Sequence, residues 1–508
     1  MLTSEPAKLI AQLQSGTITS QSITDSLIDA IKKNSSLNAM PVPFFREAQL
    51  TAHHQDRAYA VTGVTGDLHG LPITVKECFD IKGSPTTFGL ISRKSDYPDQ
   101  DDIYVQALKA SGAVVMGKTN VAQLLAYTET SNKLYGRTHH PQNEAYSCGG
   151  SSGGEAALVG AGLSALGIGT DIGGSVRIPA ALCGACSIKP TTKRLIDKTR
   201  APELQQKLPI KSVVGPISQD AFTLHSALSI MNNAAAAHWP VKPLRDYRDN
   251  DISRMKIGYF IDDGIFPVAN SVRDAVEIAV ERLSGLGAEI VEYRFPDLTE
   301  AEDIFYGIMS IDNAKHLFDH LESEPADENL ARLQAMSKLP RFLIGITATL
   351  MKVFGQAHQG RVLSLLGRYS EQDIPQLEKA MANYTNKVKQ SMATTEIGAL
   401  DAVLSPILPV SGYLHNSFRE MGLGGSYSLV NNLTGFPAGV ACVGTVSEQS
   451  AGEPFGIIDG AERRAKACSK GAVGLPKAVQ ITANPWREDI ILALIDNLHI
   501  PFTQAYGK

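Results

Sequence analysis

Two glycine-rich runs place the tightest constraint on how this chain can fold. The first is Gly149–Gly154 (GGSSGG) and the second is Gly173–Ser175 (GGS). Glycine lets backbone N–H groups approach a ligand closely, and successive N–H groups in such a turn bind anions. Between the runs, the small apolar residues 153–162 predict a buried helix and residues 164–169 predict a core strand. We predict a tight loop over 170–175.

Strand and helix patterns alternate along the rest of the chain. A short buried strand is predicted at 71–75, and it delivers Lys76 at its end. Other strands are predicted within 112–120 and at 255–260, 288–293 and 402–404, with helices at 103–110 and 274–286 and an early helix capped by Thr19 or Ser20. This alternation is typical of an α/β fold with a mainly parallel or mixed sheet. No long linker divides the 508 residues, so we expect a single domain over 1–508.

The charge balance narrows the class of partner. The chain has 47 Lys and Arg against 52 Asp and Glu, a net charge of −5 at pH 7. A nucleic-acid binder normally carries a basic excess to neutralise phosphates, so we expect no nucleic-acid partner. Neither a signal peptide nor a transmembrane stretch is visible, which predicts a soluble cytoplasmic protein. Cys183 and Cys186 have the spacing of zinc ligands, but no second pair accompanies them; we predict buried cysteines and no metal.

A serine in a glycine-rich turn suits acyl transfer, because its hydroxyl can attack a carbonyl while N–H groups hold the oxyanion. The run Gly149–Gly153 formally fits G-x-S-x-G, but polar loop precedes it instead of a buried strand, which argues against a Ser-His-Asp hydrolase. A phosphate-binding loop also fails, because no Gly-Lys-Ser/Thr closes the run. Lys76 remains the candidate base, since a lysine among apolar neighbours loses solvation and its pKa falls.

Taken together, these segments resemble the amidase signature family. The segments that carry the resemblance are Gly70–Lys76 (GLPITVK), Cys148–Leu158 (CGGSSGGEAAL), Gly169–Pro179 (GTDIGGSVRIP) and Cys186–Pro190 (CSIKP). Ser151 and Ser175 are 24 residues apart (175 − 151), which is the family spacing. Within the family the chain looks most similar to fatty acid amide hydrolases, over about residues 66–494. The resemblance implies the amidase signature fold, a single large α/β domain with a central mixed twisted β-sheet flanked by helices.

The resemblance also implies catalytic roles. Ser175 would be the nucleophile. Ser151, expected on a cis peptide bond, would relay protons between Ser175 and Lys76. All three fall within 66–235, which would form the signature core after an N-terminal helical segment over 1–65. We expect the reaction to need no cofactor.

Further residues would bind substrate or support the site. The backbone N–H groups expected to form the oxyanion hole are those of Ile172, Gly173, Gly174 and Ser175. The N–H of Leu125 is not expected among them; its segment, 124–127, would line the substrate site instead. The supporting residues would be Ser152, Asp171 and Arg177, and we expect the last two to form an internal ion pair.

An apolar stripe at helical spacing marks residues 339–354. Its members are Leu339, Phe342, Leu343, Ile346, Leu350, Val353 and Phe354, with Arg341 and Lys352 on the other side. A core helix would show the same stripe. However, the neighbourhood is basic, as in an interfacial helix on anionic lipid, and it resembles the membrane cap of fatty acid amide hydrolases. We therefore predict that 335–370 is a cap that contacts lipid peripherally or forms an apolar substrate mouth.

The predicted activity is that of a serine amidase acting on a linear amide. We expect an N-acyl amide with a long apolar acyl chain, hydrolysed to free acid and amine. Two alternatives stay open: a hydrolase of the same family for small amides or esters, and a glutamine-dependent amidotransferase subunit, which would need stable partners. A homodimer also stays open. A scaffold without activity is disfavoured, because no triad position is missing.

Overall fold

The computed structural model describes residues 5–199, 208–321, 324–421, 426–452 and 454–501. Its strands are β1 (Val42–Pro43), β2 (Pro72–Lys76), β3 (Val114–Thr119), β4 (Ser131–Asn132), β5 (Gly136–Arg137), β6 (Leu166–Asp171), β7 (Cys186–Lys189), β8 (Val213–Ser218), β9 (Lys256–Tyr259), β10 (Glu289–Glu292), β11 (Ala402–Ser405), β12 (Ala438–Thr445) and β13 (Pro476–Ala483).

The helices in these ranges are α1 (Pro6–Gln14), α2 (Ser20–Lys33), α3 (Phe45–Thr62), α4 (Ile103–Ala110), α5 (Gly153–Gly160), α6 (Arg177–Cys183), α7 (Ala221–Ala236), α8 (Asn270–Gly285), α9 (Leu298–Met309), α10 (Lys315–Asp319), α11 (Glu328–Ser337), α12 (Arg341–Val353), α13 (Ala357–Leu365), α14 (Ile374–Ala393), α15 (Phe418–Met421), α16 (Ser426–Thr434), α17 (Gly460–Lys470) and α18 (Glu488–Leu498).

A large mixed sheet runs through the domain. In the described residues it has eleven strands in the order β1-β3-β2-β6-β8-β7-β12-β13-β11-β9-β10. β2 pairs in parallel with β3 and β6, and β9 pairs in parallel with β10 and β11. The central pairs, from β6–β8 to β13–β11, are antiparallel. The prediction of a single α/β domain with a mixed sheet is confirmed.

The local predictions hold for most elements, with one informative error. Thr19 accepts a hydrogen bond from the backbone N–H of Ser22 and caps α2, as expected. The predicted loop over 170–175 is wrong in its first two residues. Thr170 and Asp171 belong to β6, because they pair with Val214 and Val213 of β8. The turn therefore begins only at residue 172.

The middle of the sheet is covered on both faces. The strand side chains Ile73, Val75, Ile168 and Ile481 are fully buried, so the polar groups that end these strands lie in a dry interior. Cys183 and Cys186 are also fully buried, as predicted. None of the helices in the described ranges is long and apolar enough to cross a membrane.

Candidate active site

Lys76 lies at the end of β2, in the interior of the sheet. Its side chain is fully buried, and β3 and β6 flank its strand. Nζ lies 2.8 Å from Ser151 Oγ, 2.8 Å from Thr170 Oγ1 and 3.4 Å from the Thr170 carbonyl oxygen. Among the described residues, no carboxylate lies within ion-pair distance of this ammonium group. The lysine is therefore held by neutral oxygens.

Burial lowers the pKa of Lys76, because the charged ammonium group loses its hydration. Negative charge on Glu155 and Asp171 opposes this effect. Glu155 is itself fully buried in α5, where its carboxyl oxygens accept hydrogen bonds from Thr74 Oγ1 (2.5 Å) and Thr119 Oγ1 (2.7 Å). Burial raises the pKa of Glu155 to about 8. At neutral pH its neutral form predominates, so Glu155 adds little to this opposition.

Ser151 is held in the turn that precedes α5. The Gly150–Ser151 peptide bond is cis, as the resemblance implied. The Ser151 carbonyl accepts a hydrogen bond from the N–H of Ala122 (3.4 Å). Ser152 ties the turn to the next segment, since its N–H donates to the Ser175 carbonyl (3.2 Å) and its hydroxyl donates to the Thr170 carbonyl (3.4 Å).

Ser175 follows β6 at the second glycine run. Its hydroxyl makes no hydrogen bond to any other residue in the described ranges, and the residue keeps 9% of its surface exposed. The backbone N–H groups of Ile172, Gly173 and Ser175 are also without acceptors among those residues. A hydroxyl group and three available N–H donors therefore share one turn.

The expectation that Gly174 also supplies an oxyanion donor needs correction. Its N–H donates to Asp171 Oδ1 at 2.8 Å, so it is already occupied. Gly174 has a φ of +114°, a conformation that side-chain-bearing residues rarely adopt. Gly174 therefore sets the shape of the turn, which leaves the N–H groups of Gly173 and Ser175 available.

Asp171 and Arg177 form the predicted internal ion pair. Both side chains are fully buried; Arg177 Nε lies 3.0 Å from Asp171 Oδ2, and Nη2 lies 3.1 Å from Oδ1. Burial disfavours the charged carboxylate, but the adjacent guanidinium outweighs it and holds the pKa of Asp171 well below its usual range. Asp171 also accepts from the N–H of Val176 (3.2 Å). The pair therefore closes the turn on both sides of Ser175.

Leu125 lies in a turn beside Ser151. It is buried with a φ of +57°, and its N–H donates to the Ala122 carbonyl, so this N–H is not available to an oxyanion, as expected. An apolar surface adjoins the turn at 172–175 as well: a Cβ on Gly173 would meet Phe305 at 3.3 Å and Leu429 at 3.9 Å. Substrate binding by Leu125 stays a prediction.

Sequence reasoning missed several residues of this site. The hydroxyl of Thr170 is as close to Lys76 Nζ as that of Ser151. Arg177 also donates to Gln480 Oε1 (2.6 Å) and Asn432 Oδ1 (2.6 Å). Thr170 was detectable from its place at a strand end next to the second glycine run. Nothing in the spacing of Asn432 or Gln480 links them to Arg177.

The predicted cap helix, α12, exposes its apolar stripe. All seven members are exposed, and five of them by more than half, namely Phe342 (67%), Ile346 (54%), Leu350 (51%), Val353 (74%) and Phe354 (75%), whereas only Ile344 and Ala348 of the helix are buried. The alternative of a core helix is therefore wrong. Ile457 and Ile458 are also exposed, and Ile458 lies beside Gly355, so the apolar surface extends beyond the helix. We call Ile457, Ile458 and these five residues of the stripe the apolar patch.

The family follows from the sequence and the fold together. The model of the Amidase family matches residues 22–492. The chain therefore belongs to the amidase family, whose signature the two glycine runs carry, and it is an amide-hydrolysing enzyme.

Individual relatives differ in the amide that their names specify. Fatty-acid amide hydrolase 1 of Sus scrofa is 32% identical over 438 residues, covering 84% of this chain and 74% of that protein. An acetamidase of Emericella nidulans is 30% identical over 455 residues, covering 86% of this chain and 77% of that protein. A solved fatty acid amide hydrolase structure has a TM-score of 0.83 at 22% identity, covering 98% of this chain and 86% of the other. Amide hydrolysis is common to all three.

Proposed function

We propose that this protein is a serine amidase that uses Ser175, Ser151 and Lys76 as a catalytic triad. The observation that carries the proposal is the buried contact of 2.8 Å between Lys76 Nζ and Ser151 Oγ. A neutral amine at this position accepts the proton of the Ser151 hydroxyl, which in turn accepts the proton of Ser175. Ser175 Oγ then attacks the amide carbon, and the N–H groups of its turn stabilise the negative oxygen.

The second half of the reaction uses the same path in reverse. The proton on Lys76 passes through Ser151 to the nitrogen of the amide as the C–N bond breaks, which releases the amine. The acyl group stays on Ser175 until water attacks it, with the amine of Lys76 again accepting a proton. Asp171 and Arg177 touch none of the reacting atoms and hold the turn in place.

The triad is tested with a serine-directed fluorophosphonate, whose labelling requires no knowledge of the substrate. Ser175→Ala should abolish both labelling and turnover, because it removes the attacking oxygen. Ser151→Ala should label about 10²–10⁴-fold more slowly, since the nucleophile remains and the relay is broken. Ser226→Ala is a useful control, because this serine lies in α7, where its hydroxyl donates to the Phe222 carbonyl of the same helix, and it should label normally. Stoichiometric labelling of Ser175→Ala would refute the assignment.

For the substrate we propose an N-acyl amide with a long apolar chain, and we propose that the apolar patch contacts lipid peripherally. The patch presents seven exposed apolar side chains from α12 and the loop at 457–458, and such surfaces typically mark interaction sites. Arg341 and Lys352 lie on the same helix and are exposed, which favours anionic lipid. The likeness to fatty-acid amide hydrolase 1 of Sus scrofa supports the same substrate class.

The lipid proposal is tested by replacing Phe342 and Ile346 together with Ser. These residues are one helical turn apart, and removing both should weaken binding to anionic vesicles about 100-fold or more, because buried side chains of this size contribute about 1.5–3 kcal/mol each. The KM for long-chain amides should rise, whereas turnover of a short soluble amide should persist. Replacing Leu50 and Val61, which are exposed on α3 outside the patch, is the matched control. Equal losses with both pairs would contradict lipid docking.

Two alternatives have separate outcomes. A preference for small amides is supported by the acetamidase relative and would appear as kcat/KM that does not grow with acyl length. An amidotransferase subunit would release ammonia from glutamine and elute with partners in gel filtration, the same measurement that detects a homodimer.

A further inference from the structure

A small cavity outside the triad contains two acidic side chains. It lies among α9, α16 and the chain that follows β9, and Asp263, Glu302 and Tyr427 are part of its wall. Its free volume is about 10 Å³, which is enough for one water-sized particle. Most of the remaining wall is apolar, including Leu429 and Ala301. An ion in this space would meet few competing waters.

Asp263 has one carboxyl oxygen without a partner. Oδ1 accepts hydrogen bonds from the N–H groups of Ile265 (2.8 Å) and Phe266 (2.9 Å). Oδ2 is buried and accepts no hydrogen bond from the described residues. Only 5% of the surface of Asp263 is exposed, so bulk water does not replace the missing partner. The neighbouring Tyr427 hydroxyl donates instead to the Phe266 carbonyl (2.8 Å). Within the described ranges no cationic side chain forms an ion pair with Asp263.

Glu302 adds a second acidic side chain to the same wall, and its cationic partner, Arg361, also binds Asp303. Its carboxylate accepts from the Ser426 hydroxyl and from Arg361 Nε (3.2 Å). Arg361 also donates to Asp303 at 2.7 Å, and Arg368 lies 3.9 Å from the other carboxyl oxygen of Asp303, so two guanidinium groups serve these two carboxylates. Burial raises the pKa of Glu302 to about 7 and that of Asp263 to about 6. Above neutral pH both carboxyl groups are charged, and Asp263 then lacks a cationic partner among the described residues. A buried negative charge without a partner costs several kcal/mol.

We propose that the cavity binds one small monovalent cation, of the size of Na⁺, K⁺ or NH₄⁺, with Asp263 Oδ2 as its charged ligand. Oxygen atoms suit such an ion, and the wall offers carboxylate and phenol oxygens. A divalent ion such as Mg²⁺ would keep several of its waters, for which the cavity has no room. Ammonium has the same charge as the alkali ions and in addition donates hydrogen bonds.

The walls of the cavity pack against the turn at 172–175. Leu429 lines the cavity and faces Gly173, and the hydroxyl of the adjacent Ser428 donates to the Gly173 carbonyl at 2.7 Å. Phe305 of α9 faces Gly173 from the other wall helix. An ion between α9 and α16 would therefore stabilise the two helices that contact that turn. The binding site itself does not depend on the triad assignment.

The test compares thermal unfolding of the whole protein at pH 8 in chlorides of potassium, sodium, ammonium and tetramethylammonium at equal ionic strength. The small ions should raise the unfolding temperature by roughly 1–3 °C with saturation, whereas tetramethylammonium is too large to enter. The order among the three small salts identifies the preferred ion. Identical unfolding temperatures in all four salts would overturn the proposal.

Three variants locate the effect. Asp263→Asn keeps the acceptor for Ile265 and Phe266 but removes the charge, so it should lose the response and be no less stable than the wild type in tetramethylammonium. Asp262→Asn changes the adjacent carboxyl, which caps the N–H of Gly264, and should keep the response. Ala301→Val fills the cavity with both acids intact and should also lose it. A response that survives in both Asp263→Asn and Ala301→Val would place the ion elsewhere and refute the site.

Discussion

Replacing Thr170 with valine tests how Lys76 is oriented. The substitution keeps the volume and removes one hydroxyl, the oxygen that lies 2.8 Å from Nζ. A neutral amine has two N–H groups and one lone pair. If the lone pair faces Ser151, the two N–H groups are left for the hydroxyl and the carbonyl of Thr170, at 2.8 and 3.4 Å. In the variant, one N–H group of a fully buried lysine has no acceptor.

The expected loss follows from that unpaired donor. The ammonium group that forms as Lys76 takes the proton of Ser151 loses a charge-assisted hydrogen bond worth about 1.5–3 kcal/mol, so labelling by a fluorophosphonate at the plateau should slow roughly 10- to 150-fold. The lost acceptor stabilised the ammonium form more than the amine, since hydrogen bonds from charged donors are stronger. The pKa of Lys76 should therefore fall further, and the rising limb of the pH–rate profile should move to lower pH while its plateau falls.

The assay is the pseudo-first-order labelling rate of Ser175 across pH. Thr482→Val is the matched control, because Thr482 is a buried strand residue whose hydroxyl donates to Asn431, away from Lys76. It should leave both plateau and midpoint unchanged. A Thr170→Val rate within twofold of the wild type, with the midpoint unmoved, would refute the proposed orientation of Lys76.

Three further predictions concern Lys76, Asp171 and Glu155. Lys76→Ala should flatten the pH dependence and slow amides more than matched esters, because an amine leaving group needs the returned proton; equal losses in steady-state assays would count against the relay. Asp171→Asn should destabilise the fold by about 3–5 kcal/mol in urea titrations, since Arg177 is left buried without its partner. In the wild type that pair should fail only in strongly acidic solution, because the pKa of Asp171 is lower folded than unfolded and stability is lost as pH falls through it. Glu155 has a folded pKa of about 8, above its unfolded value, so wild-type stability should fall relative to Glu155→Gln between about pH 5 and pH 8, and a constant difference in urea titrations would contradict this.

The sequence predicted the local parts of the site better than the distant ones. The strand pattern placed Lys76 at the end of a buried strand, but its pairing with Ser151 came from the resemblance to the amidase signature family. Thr170 was assigned to a loop because the glycines after it suggested that the turn began earlier. The pairing of β6 with β8 extends the strand, and such pairing depends on a partner more than forty residues away.

Long-range polar partners were beyond sequence reasoning. Arg177 reaches residues 255 and 303 positions later in the chain, Asn432 and Gln480. Ordinary amides in a helix and a strand carry no pattern that selects them as partners of one arginine. The occupied N–H of Gly174 was also invisible, because it depends on where a carboxyl oxygen of Asp171 lies in the folded turn.

The reach of Arg177 has a consequence for biosynthesis. The segment that contains Ser175 leaves the ribosome some 300 residues before Gln480, which the same arginine needs for its buried hydrogen bonds. Until β13 has been translated and inserted between β12 and β11, the guanidinium lacks one of its acceptors and the sheet lacks a central strand. We expect nascent chains to remain unable to hydrolyse amides until β13 has been synthesised and has paired with β12 and β11.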